Sequence, residues 1–155
     1  KKMKPNKNLA ALGIVLSKAP EPVGSYVAYK IINKLVYISG QISINPDNIL
    51  IKGKIGKDLT LEEGQKASYY CCLNILSQLN AASKGDINKI KNCVKITGYV
   101  NSIDTFYDQA KIINPASELL VKIFENSGKH ARAAISCNSL PLNAAVEIES
   151  IFEIN

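Results

Sequence analysis

Residues 60–85 read TLEEGQKASYYCCLNILSQLNAASKG, and residues 144–154 read AAVEIESIFEI. The first stretch opens with Thr60 and carries Glu63 three positions later, the spacing at which two side chains cap each other's backbone N–H groups. Ala67, Cys71, Ile75 and Leu79 then recur every four residues beside Cys72 and Leu76, which puts one apolar face on a helix. Gly85 is placed to stop that helix. The second stretch alternates: Val146, Ile148 and Phe152 against Glu147, Glu149 and Glu153, the period-two pattern of a strand with one wet face. A long helix with one apolar face and a strand with one apolar face bury each other.

The elements around these two extend the pattern. Residues 90–100 read as a strand with a buried stripe through Ile90, Val94, Ile96 and Gly98. Residues 104–110 read as a short helical turn. Asn114 is placed to cap a second helix with Pro115 at its first position, where a missing N–H costs nothing. Leu119, Leu120, Ile123 and Phe124 give that helix its apolar face. Residues 131–138 and 144–154 read as the last two strands.

Toward the N-terminus, residues 26–32 and 35–39 read as strands joined at Asn33-Lys34, with Gly40-Gln41 ending the second. Residues 45–48 read as a loop and 49–55 as a weak strand. Pro20 and Pro22 hold residues 19–22 extended. Residues 9–16 suit a strand or a short helix. The expected organisation is a flexible basic tail over residues 1–8 and one domain over residues 9–155. The expected fold class is α+β, a mixed sheet with two helices packed on one face.

Composition limits the function. The chain has 155 residues, 46% of them apolar, enough for a core without Trp. Its net charge is +6, but of 19 basic residues only Arg132 is an arginine, and the lysines are scattered. Binding to a nucleic-acid duplex favours a charged stripe with arginine in it, so a lysine-solvated surface is the simpler reading. The four cysteines lack metal-ligand spacing, and the single histidine cannot complete a Cys/His site. No stretch reaches the ~18 apolar residues of a membrane span. These features lead to the expectation of a soluble, cytoplasmic protein in a reducing compartment.

Arg132 stands out because lysine serves wherever else a positive charge is needed. A guanidinium is irreplaceable where a planar carboxylate is held by two parallel N–H···O bonds. His130 lies two residues before it and points the same way if the chain is already extended there. Glu147 and Glu149 share a strand face, where a buried carboxylate could do acid–base work or a solvated pair could do nothing. No cysteine or serine has a neighbouring base, so no nucleophile is evident.

Together, Tyr37-Ile38-Ser39-Gly40-Gln41, Gly85-Asp86 with the strand at 94–100, Ala131-Arg132-Ala133, Leu140-Pro141 and Val146-Glu147-Ile148-Glu149 resemble the Rid family, also called YjgF or L-PSP endoribonuclease-like. The resemblance runs from about Gly24 to Ile154 and suits a subgroup slightly longer than the best-known deaminases. It implies a Bacillus chorismate mutase-like fold and a homotrimer with clefts between subunits. It implies hydrolysis of enamine and imine acids of the 2-aminoacrylate type to 2-oxo acids and ammonia, with no metal or organic cofactor. Arg132 and Glu147 would be catalytic, one gripping the carboxylate and one orienting water. Tyr26, Ser39, Gly40, Asn114 and Ala134 would contact substrate. The family's older name carries an alternative, an endoribonuclease or translation inhibitor; a non-catalytic trimer that binds small carboxylates is another. His130 and Ala133 depart from the residues common beside the arginine.

A hairpin of the last two strands about Pro141 would set Glu147 opposite Ser136, four residues and roughly 13 Å from Arg132. Either the two strands are not paired in this way, or a site using both residues takes them from two subunits; the second is the expectation here.

Overall fold

Alternation in the strands decides what is buried, and the computed structural model, which describes residues 2–155, shows where each strand goes. Strands β1 (Tyr29–Ile32), β2 (Leu35–Ile42), β3 (Ile90–Asn101), β4 (Ala131–Cys137) and β5 (Val146–Ile154) form one mixed sheet in the order β1-β2-β5-β3-β4. Only β3 and β4 are parallel. The α-helices are α1 (Pro5–Ala11), α2 (Leu61–Ala82) and α3 (Gln109–Phe124). None is long and apolar enough to cross a membrane.

α2 forms where its signals put it. Thr60 Oγ1 accepts from the Glu63 N–H at 3.2 Å, and Glu63 Oε1 accepts from the Thr60 N–H at 3.3 Å. Ala67, Cys71, Cys72, Ile75, Leu76 and Leu79 are all buried. The helix ends at Ala82, and the chain turns away through Lys84 and Gly85, both at positive φ.

α3 differs from the expectation. It begins at Gln109, after the cap residue Asp108, so Asn114 and Pro115 lie inside it rather than at its start. An interior proline leaves the carbonyl four residues earlier without its helical donor. That carbonyl, on Lys111, accepts instead from Gln65 Nε2 of α2 at 2.9 Å. The neighbouring helix supplies the missing bond, and the asparagine is released for another use. Of the short helical turn expected at 104–110, the last two residues are the start of α3.

Other boundaries move too. Lys1 lies outside the described residues, but the expected tail is already helical from Pro5, because Pro5 and Leu9 are buried and Asn8 Nδ2 donates to Ile123 O at 2.7 Å. The first strand starts at Tyr29, later than residue 26. β2 continues past Gly40-Gln41 instead of ending there, because a register shift between Ile38 and Gln41 absorbs the irregularity. Residues 49–55 make only isolated bridges. They are tied down by the Lys54 ammonium, which donates to Asn101 Oδ1, Ser102 O and Asn138 O at 3.0, 3.2 and 2.6 Å. In β3 a second register shift, between Cys93 and Lys95, reverses the alternation, so Cys93 is buried while Val94 is 42% exposed.

The last two strands are not a hairpin. β3, α3 and β4 form a strand–helix–strand crossover, which makes β4 parallel to β3 and leaves it at the sheet edge. The chain then passes to the far side of β3, where β5 pairs with both β3 and β2.

Register fixes the sidedness of every residue. Val146, Ile148, Ser150 and Phe152 of β5 are buried, and they lie level with Val100, Gly98, Ile96 and Cys93 of β3. Side chains of α2 and α3 meet these positions: the Cys71 thiol donates to Val146 O at 3.3 Å, and Ile113 fills the space where a side chain on Gly98 would go. Arg132, Ala134 and Ser136 lie level with Ile96, Gly98 and Val100 and therefore share that face. Glu147 and Glu149 point to the other face, with Tyr99 and Thr97 beside them.

Candidate functional site

Arg132 sits near the start of the edge strand β4, on the side that α3 covers. Its Nη1 donates to Asn114 Oδ1 at 2.9 Å and to Ser117 Oγ at 3.2 Å. Asn114 and Ser117 are three residues apart on α3 and so lie on one helix face. The interior placement of Pro115 is what puts Asn114 here. Among the described residues Arg132 makes no ion pair, and its Nη2 and Nε have no hydrogen-bond acceptor. A guanidinium held at one nitrogen and free along its Nε–Nη2 edge can receive a carboxylate through two parallel bonds.

Behind Ser117 stands His130. Its Nε2 is 2.8 Å from Ser117 Oγ and its Nδ1 is 2.6 Å from Gly128 O. Lys129 is already extended, which puts His130 and Arg132 on one side of the chain. Ala134, two residues beyond Arg132, packs against the core on the same face.

Glu147 belongs to a second group. Its carboxylate lies against the Gly40 backbone, so close that a Cβ on Gly40 would be 2.5 Å from Oε1 and 2.8 Å from Cδ. Partial burial, and secondly the Glu149 carboxylate on the same face, push its carboxyl above the usual glutamate range. Glu147 and Gly40 border a cavity of about 330 Å³, with Tyr26, Val23, Ile42 and Leu142 among its walls. The Tyr26 hydroxyl accepts from the Val23 N–H at 3.3 Å, which fixes the 23–26 turn beside this cavity. Ser39 is not in it. Its hydroxyl donates to Val27 O at 2.7 Å, and it borders a separate hollow on the open face of the sheet with Thr97 and Glu149.

Apart from Ser39, the sequence-derived residues fall into two sets. Arg132, Asn114 and Ala134 form one; Glu147, Gly40 and Tyr26 form the other. Arg132 and Glu147 are two strands apart with a three-residue offset, roughly 14 Å between Cα atoms at strand spacings of about 4.8 Å and rises of about 3.3 Å. They also point to opposite faces of the sheet. Within one chain they cannot hold one small molecule between them.

Ser117 was not anticipated. It carries no motif of its own, and only its three-residue spacing from Asn114 could have pointed to it. Burial pushes the Cys71 and Cys72 thiols far up and that of Cys93 to about 12, which disfavours the thiolate at these three positions.

Comparison with known proteins agrees with this architecture. The sequence model of the YjgF/chorismate mutase-like family, whose description also carries the endoribonuclease name, matches residues 6–153. Protein TCP17 of Trypanosoma cruzi is 39% identical over 96% of this chain and 92% of its own length. A 2-iminobutanoate/2-iminopropanoate deaminase of Dermatophagoides farinae is 30% identical over 88% of this chain and 91% of its own. A crystal structure from Agrobacterium tumefaciens, of a protein of unknown function, superposes with a TM-score of 0.90 at 38% identity, covering 97% of this chain and 92% of that one. With an α+β mixed sheet and a family match across nearly all of its length, the chain belongs to the YjgF/chorismate mutase-like, or Rid, family.

Proposed function

We propose that this protein hydrolyses enamine and imine acids of the 2-aminoacrylate type to 2-oxo acids and ammonia, at a site built from two subunits of a homotrimer. The observation that carries the reading is Arg132: a lone, partly buried guanidinium without a carboxylate partner, fixed at Nη1 and open along its other edge. A resident salt bridge would have neutralised it; an absent one leaves it for a substrate carboxylate. The D. farinae relative's name supports the same substrate class.

The two half-sites assign the steps. Arg132 holds the substrate carboxylate bidentately. The enamine tautomerises to the imine, whose protonated nitrogen already makes the adjacent carbon electrophilic, so the chemistry needs no metal or organic cofactor. Glu147 of a neighbouring copy holds a water over that carbon and takes a proton as the C–O bond forms. Its raised pKa makes it a better base than an ordinary surface glutamate. Glu147 returns that proton to the amine, and as the C–N bond breaks the new hydroxyl gives its own proton back to Glu147, so that ammonia and the 2-oxo acid are released.

The subunit arrangement rests on sidedness. Arg132 lies on the edge strand and Glu147 on the opposite face, so a shared site draws one from each of two copies. The open face favours self-association: Tyr37 and Ile135 on it are 43% and 49% exposed. Large apolar residues on one sheet face invite cover.

The test couples the purified protein to a PLP-dependent serine or threonine dehydratase and follows imine decay with a semicarbazide trap. Faster decay with the wild type, lost in Arg132→Ala, is the expected result. No acceleration by the wild type refutes the deaminase reading. RNA cleavage at a rate unchanged in Arg132→Ala would separate the ribonuclease name from this site.

A further inference from the structure

His130 is the one histidine of the chain, and the proposed reaction assigns it no step. We infer that His130, acting through Ser117, is a positioning residue for the Arg132 carboxylate clamp: it fixes the direction of the Ser117 hydroxyl and so the edge that the guanidinium presents. The inference rests on the clamp reading of Arg132.

Hydrogen positions follow from the partners. Gly128 O is a carbonyl and can only accept, so His130 Nδ1 carries the proton at 2.6 Å. In the neutral ring Nε2 is then an acceptor, and the hydroxyl 2.8 Å away must donate to it. With its only proton committed, Ser117 Oγ offers lone pairs to Arg132 Nη1 at 3.2 Å. The second Nη1 proton goes to Asn114 Oδ1 at 2.9 Å. Both Nη1 protons are therefore engaged, and a carboxylate meets the remaining edge.

The anchor of this chain is rigid. Gly128 is buried with its Cα against α3; a Cβ there would run into the Leu120 and Val121 backbone. Its carbonyl is thus held by the same helix that carries Asn114 and Ser117. Without the His130 acceptor the Ser117 hydroxyl is free to rotate, and its proton can face Nη1 and repel it. Geometry fixed before the ligand arrives removes an ordering cost at binding.

Isothermal titration of the wild-type protein and its variants with 2-oxobutanoate and with 2-oxobutanamide tests the assignment, with thermal melting as a check on folding. Ser117→Ala and His130→Phe should weaken binding of the acid about tenfold, as expected for one disturbed bond to a charged group, and leave the amide unchanged. Ser117→Thr keeps the hydroxyl and His130→Gln keeps an acceptor near Nε2, so both should stay within about threefold of wild type. In imine turnover the same loss should enter KM rather than kcat. Full acid affinity in Ser117→Ala, or an equal loss for acid and amide, overturns the assignment. A wild type that binds the acid no better than the amide removes the clamp and this inference together. A wild type that prefers the acid but turns over no imine removes the deaminase reading and leaves the positioning role standing.

Discussion

Gly40→Ala isolates the Glu147 half of the site. Gly40 is not at positive φ, so alanine fits its backbone without strain. The added Cβ, however, would lie 2.5 Å from Glu147 Oε1, 2.8 Å from Cδ and 3.0 Å from Cγ. Ordinary contact is about 3.5 Å, so the carboxylate must move by about 1 Å. It is the free end of a flexible side chain and can move, so the stability cost should be at or below ~1 kcal/mol, the low end for added methyl groups. Catalysis is less forgiving, because a shift of about 1 Å in a water-positioning group costs on the order of 100-fold. The coupled imine-decay assay should show kcat falling by about that factor, with little change in KM, since Arg132 and its partners lie on another strand and face. A kcat within about threefold of wild type, in a protein that melts normally, would refute the role given to the Glu147–Gly40 contact.

The remaining predictions concern pH and packing. The acid limb of kcat/KM should lie above the usual glutamate range, because burial and then Glu149 raise Glu147; Glu149→Gln removes the second cause and should move the limb down. The same shift has a stability sign: the folded chain holds the Glu147 proton more tightly than the unfolded chain, so Glu147 costs stability as pH rises from the ordinary glutamate value through its raised one. Glu147→Gln should therefore raise Tm at neutral pH and not at pH below the ordinary value; an equal gain at both would contradict this. Gly98→Ala would put a Cβ 2.5 Å from Ile113 Cδ1 and 2.6 Å from Cγ1, inside the core, so urea unfolding should show a loss of about 1–3 kcal/mol.

Local signals were readable in the sequence and long-range ones were not. The Thr60–Glu63 capping box and the β5 alternation are properties of neighbouring residues, and both appear in the structure. The isolation of Arg132 in a lysine-rich chain was visible from composition. The Asn114-Pro115 pair read as a helix start because nothing nearby reveals that Gln65, almost fifty positions earlier, supplies a donor to the orphaned carbonyl. Likewise, Pro141 suggested a hairpin between strands that β3 separates. Val94 was assigned to the core because a register shift leaves no local mark. The same non-local register decides that Arg132 and Glu147 face opposite ways, and this sidedness replaces the hairpin distance as the ground for proposing a site shared between two chains.

That claim has a direct test by subunit complementation. Arg132→Ala and Glu147→Gln homomers should each be inactive in the imine-decay assay. Unfolded together and refolded as a mixture, they should recover about a quarter of wild-type activity, because random assembly pairs an intact Arg132 with an intact Glu147 of the neighbouring copy at about one site in four. A mixture as inactive as its two components, in verified mixed oligomers, would contradict a site shared between chains.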